Sequence, residues 1–129
     1  MTQRLSQIAL LVRDYDEAIA YYVGKLGFTL IEDTVLDAAK RWVTVAPKGG
    51  ETRLLLAKAV GERQLAAVGD QSGGRVFLFL QTDDFARDYA AYVERGVTFV
   101  REPIEEPYGT VAVLEDIYGN QWDLIEPKG

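Results

Sequence analysis

The chain repeats itself. A shift of 70 positions lays Asp14 on Asp84, Tyr15 on Phe85, Ala20 on Ala90, Tyr22 on Tyr92 and Val23 on Val93. With Leu26 skipped, Gly27 meets Gly96 and Thr29 meets Thr98. A helix cap, an apolar helix face and a glycine stop recur together, which chance similarity would not preserve. A half-sheet of this size cannot bury both faces alone. Two of them can curl around each other with helices outside, leaving a cleft lined by the inner strand faces.

Each half reads as strand, helix and three strands. In the first, Ser6 to Val12 alternates as a strand, with Gln7, Ala9 and Leu11 on one face and Ile8, Leu10 and Val12 on the other. Asp14 is an N-cap, and Tyr15, Ala18, Ile19, Tyr22 and Leu26 recur at helical spacing to about Lys25, where Gly27 closes the helix in a left-handed cap. Phe28 to Glu32 reads as a strand and the polar stretch Asp33 to Lys40 as a loop or a short irregular extension. Arg41 to Ala46 and Thr52 to Ala57 form a hairpin around Pro47-Lys48-Gly49-Gly50. The first module spans about 5–58, and 60–74 reads as a linker with room for a short helical piece.

The second module, about 75–127, starts with a strand from Arg75 to Gln81. A helix capped by Asp84 runs from Phe85 to Arg95 and stops at Gly96, and Thr98 to Arg101 is a strand. Pro103 to Pro107 reads as a loop, and a closing hairpin follows. Its turn is placed at Gly119-Asn120, both read as residues of positive φ. The fold class expected is α+β: two βαβββ modules in one domain, forming a partly open, pseudo-twofold eight-stranded barrel with helices outside.

Composition narrows the chemistry. The 129 residues contain no cysteine and no histidine. That excludes thiolate nucleophiles, His-based triads and the commonest ligands of zinc, copper and non-haem iron. A net charge of -6 disfavours nucleic acid and anionic membrane surfaces, and suits either solubility or a cationic ligand. No apolar run approaches the roughly 18 residues needed to span a bilayer, and a cytoplasmic location is the default expectation. The odd residue is Asp123 in the strand Gln121 to Ile125. Alternation puts it on the face opposite Trp122 and Leu124, and a carboxylate in so apolar a segment needs water in a cavity or a partner.

Three pieces resemble the vicinal oxygen chelate superfamily, the glyoxalase, bleomycin-resistance and extradiol-dioxygenase group. They are LLVRDYDEAIAYYVGKLGF from Leu10, VFLFLQTDDFARDYAAYVERGVTFV from Val76 and PYGTVAVLEDIYGNQWDLIEP from Pro107. In metal-using members, four ligands come from the first and last strands of each module. Carried over by position, these fall at Gln7, Leu55, Phe77 and Asp123. Leu55 and Phe77 cannot coordinate, so the resemblance implies a member that has lost its metal and needs no other cofactor. A divalent ion held by Gln7, Asp123 and water is the alternative.

For the cleft, Asp123 is a base, an acceptor for ligand hydroxyls or cations, or half of an ion pair. Strand parity puts Arg53 and Arg75 on the faces of Leu55 and Phe77, from which either can reach Asp123 or an anionic substrate group, unless they are exposed strand ends. Phe77, Phe79 and Trp42 are either core or a stacking wall for a flat ligand. Tyr108 sits in a proline-edged loop able to cover the cleft mouth. Tyr21-Tyr22 reads as helix packing, with Tyr21 offered for a subunit contact. The first expectation is a metal-independent protein binding an organic small molecule, as in the drug-sequestering branch, and a homodimer as that family implies. The second is a glyoxalase-like lyase or isomerase with Asp123 as base.

Overall fold

A computed structural model describes all residues, Met1–Gly129. The eight strands are β1 (Gln7–Val12), β2 (Thr29–Val35), β3 (Arg41–Ala46), β4 (Arg53–Lys58), β5 (Val76–Gln81), β6 (Thr98–Glu106), β7 (Gly109–Glu115) and β8 (Gln121–Pro127). The α-helices are α1 (Tyr15–Ile19), α2 (Gly61–Ala67) and α3 (Phe85–Glu94), and α1 continues into a π-helical turn, Ala20–Lys25. None of them is long and apolar enough to cross a membrane. The chain divides into two compact units, Met1–Val68 and Gly69–Gly129.

The internal repeat is realised in the strand order. One sheet runs β1-β4-β3-β2 and the other β5-β8-β7-β6, the same path displaced by four strands. In each, the first and last strands pair in parallel and the remaining pairs are antiparallel. The ladders stay within their own sheets, so no closed barrel is formed.

In the first unit α1 starts where Asp14 accepts the Glu17 N–H at 2.9 Å. Beneath it lie Leu10, Val12, Val43, Val45, Leu54 and Leu56, all at most 4% exposed. Tyr22 is fully buried, with its ring 5.2 Å from Tyr21 edge-on and 5.6 Å from Phe28. Tyr21 is buried as well, which removes it from any subunit surface. The residue skipped in the repeat has a physical form. The Leu26 N–H reaches back to the Tyr21 carbonyl at 3.1 Å, a π-type bond, and Phe28 N–H closes the helix on Tyr22 O at 2.9 Å. In α3 the equivalent closure, Val97 N–H to Tyr92 O at 2.9 Å, is one residue shorter. Gly27 and Gly96 both take the left-handed conformation, with φ of 74° and 83°. One extra residue is thus absorbed by one wide turn.

Two elements differ from the sequence expectation. Asp33 and Thr34 belong to β2, not to a loop, because Arg41 across the hairpin holds Asp33 through Nε at 3.1 Å and Nη2 at 2.7 Å. Its Nη1 also reaches Asp16 of α1 at 2.9 Å, and its guanidinium lies 5.2 Å from the centre of the Tyr15 ring. That pairing holds the Asp33 carboxyl below its usual range. Second, β6 runs through Pro103 to Glu106. Between Arg101, opposite Val113, and Ile104, opposite Val111, β6 carries one residue more than β7, and Pro103 sits in that bulge of an edge strand, where no ladder bond is lost.

Candidate functional site

Each sheet has one face under a helix and one face without. In the second unit the helix side is set by Leu80, Trp122, Leu124, Ala112 and Leu114, all buried. Glu126, of the same parity as Trp122 and Leu124, accepts the Phe85 N–H at the start of α3 at 2.7 Å. Asp123 therefore projects from the helix-free face, as alternation requires. Strand register places it in a row: Phe79 of β5, Asp123 of β8, Val113 of β7 and Arg101 of β6 lie opposite one another in turn. Phe79 is 68% exposed, while Asp123 is half-buried beside it.

Burial raises the Asp123 pKa, and the positive field of Arg101 opposes this without cancelling it. Arg101 is not among the arginines that the sequence singles out. Two register shifts in β6 separate its position from simple counting. Arg75 lies just before β5 with its carbonyl accepting from the Ser72 hydroxyl, and Arg53 belongs to the other unit. The sign of the Asp123 shift carries a stability consequence. Ionising Asp123 is harder in the folded chain, so its contribution is fullest below the unfolded carboxylate pKa of about 3.9 and is lost as pH rises through the higher folded value. Asp123→Asn is accordingly expected to raise the melting temperature at neutral pH, with the advantage vanishing near pH 4. A variant less stable than the parent at pH 7 would contradict it.

In the first unit the equivalent row is Ala9, Leu55, Thr44 and Glu32. Leu55 is half-buried on the helix-free face, and Thr44 is fully buried with no hydrogen-bond partner for its hydroxyl. Gln7 lies directly opposite Arg53, one row along. Trp42 shares the parity of Thr44 and is half-buried, so it too faces away from α1. Phe77 falls in the register shift between Val76 and Leu78 and is opposite no residue of β8. The lateral neighbour of Asp123 is thus Phe79, as Ala9 is that of Leu55. Tyr108 is 58% exposed at the tip of a two-residue hairpin turn, since Glu106 pairs with Gly109. Its carbonyl accepts the Lys128 N–H at 3.0 Å, so the segment is a tight turn in place of the loose covering loop expected from its prolines.

Of Gln7, Leu55, Phe77 and Asp123, two are hydrocarbon, and nowhere do three or more acidic side chains gather closely enough to hold an ion.

Two four-stranded βαβββ sheets of this order define the class of fold. The chain belongs to the glyoxalase/bleomycin resistance protein/dioxygenase superfamily, whose family model matches residues 4–124. It is 56% identical to an uncharacterised protein of Shewanella frigidimarina (strain NCIMB 400), over 98% of this chain and 95% of that one. Among solved structures it resembles UcmS2, with 35% identity, a TM-score of 0.84 and coverage of 97% and 98% of the two chains. It also resembles TnmS3, described as an antibiotic-binding protein from Streptomyces sp. CB03234, with 31% identity, a TM-score of 0.82 and 98% of both chains covered.

Proposed function

We propose that the protein is a cytoplasmic, metal-independent binder of an organic small molecule, taken up on the helix-free sheet faces. The observation that carries this reading is Phe79, a phenylalanine ring 68% exposed in the interior of a strand and flanked by a half-buried carboxylate. Fully burying such a side chain contributes about 1.5–3 kcal/mol, so covering its exposed two thirds contributes roughly 1–2 kcal/mol, and Asp123, opposite it in the β5–β8 ladder, supplies orientation. The likeness to an antibiotic-binding protein supports the same reading. Two chains completing the site as a homodimer is part of the proposal. The edge strand β2 supports it, since it buries none of its residues and leaves Leu30 and Ile31 each 40% exposed.

The test is a thermal-shift and calorimetric screen of dialysed protein against antibiotics and aromatic metabolites, with light scattering for assembly. A saturable shift that survives chelator and weakens at least about tenfold in Phe79→Ala is expected. No shift from any compound overturns the binding role.

The raised pKa of Asp123 favours one second reading, a lyase or isomerase in which this carboxylate takes a proton next to a carbonyl. Asp123→Asn then binds substrate and turns none over. Turnover retained in that variant eliminates the mechanism.

A further inference from the structure

The first unit contains a hollow of about 370 Å3 that no metal or catalytic residue explains. Arg4, Ser6, Gln7, Ile31, Ala46 and Arg53 line it, together with Gly50 and the carboxylate of Glu51. One wall is the segment before β1, fastened to the start of β4. Arg53 N–H donates to the Ser6 carbonyl at 3.0 Å, and the Thr52 hydroxyl donates to the Leu5 carbonyl at 3.1 Å. Gln7 and Arg53, opposite each other in the β1–β4 ladder, are among its polar lining, and Ile31 and Ala46 are its apolar side chains.

The charges within it are unequal. Arg4 faces Glu51 at 3.7 Å, with side chains 72% and 81% exposed, a rim contact that solvent screens. Arg53 is half-buried and takes part in no ion pair, whereas Arg41 and Arg87 are each held by two carboxylates. A partly desolvated guanidinium without a counter-ion, beside a carboxamide and a hydroxyl that both donate, favours a planar anion. The net charge of -6 points the other way. It acts over distances that salt screens within about 8–10 Å, while contact chemistry decides the bound state.

We propose that this hollow binds a small organic carboxylate, its two oxygens on Arg53 with Gln7 and Ser6 adding donors, and its apolar body against Ile31 and Ala46. The proposal takes from the reading above only that the chain binds small molecules, and it assigns the charge class of the ligand held in this hollow of the first unit. Naphthoate, naphthamide and naphthamidinium share one ring system and differ in charge, so calorimetric titration of the full-length protein with each isolates that term. Naphthoate is expected to bind at least about tenfold tighter than the amide, as charge-assisted hydrogen bonds imply, and to weaken with added salt. Arg53→Gln should bring it down to the level of the amide. Equal or tighter binding of the amidinium overturns the proposal, as does undiminished naphthoate binding in folded Arg53→Gln. Should that variant fail to fold, the charge series on the parent protein decides alone. If naphthoate does not bind but neutral or cationic compounds in the wider screen do, the charge class falls and the binding role stands. If nothing binds, both fall.

Discussion

Asp116→Ala is expected to lower the unfolding free energy by about 3–5 kcal/mol, among the largest effects a single substitution can have here. Asp116 is 4% exposed and organises the connection from β7 to β8. Its carboxylate accepts the N–H groups of Tyr118 and Asn120 and the Asn120 side-chain amide, each at 2.9 Å. Its own N–H donates to the Asn120 carbonyl at 2.9 Å, closing the loop from the backbone side. Alanine would leave those donors buried and unpaired, each costing about 1–3 kcal/mol. The loss should appear as a lower urea midpoint with an unchanged slope. A loss under about 1 kcal/mol would show that the loop re-forms its bonds with water.

Gly69→Ala is the second large effect, at about 3 kcal/mol or more. Gly69 has φ of 77°, and a Cβ there would run into the Tyr118 carbonyl oxygen of the same connection. Two costs add: roughly 1–2 kcal/mol for a side chain in the left-handed region, and roughly 1–3 kcal/mol for moving packed backbone aside. Gly73 provides the internal control, with φ of 68° and no atom within 4 Å of the point where a Cβ would stand. Gly73→Ala should cost only the first of these. Equal losses in the two variants would mean that the backbone near Tyr118 yields freely.

The architecture was legible because its signals are local. Asp14 and Asp84 cap their helices, Gly27 and Gly96 stop them, and both sheets follow one order. What sequence reasoning missed depends on contacts made at a distance. Asp33 reads as loop until Arg41 is seen across the hairpin, and Pro103 reads as a breaker until the bulge around it is known. Asn120 reads as sharing a positive-φ turn with Gly119. Only Gly119 has that backbone, at 99°, and Asn120, 2% exposed, is the partner of Asp116 instead. For the site, alternation alone puts Asp123 opposite Trp122. It cannot supply Arg101, because each bulge in β6 moves the row by a residue.

The wide turn at Ala20–Lys25 bears on how such a chain can change. One residue added to a regular helix swings everything downstream by about 100°, since a full turn takes about 3.6 residues. Here the swing is swallowed within a single loop of backbone, and β2 takes the same place in its sheet that its twin β6 takes after α3. One added residue thus does not redirect the strand that follows it, and the two halves keep one strand order although their first helices differ in length.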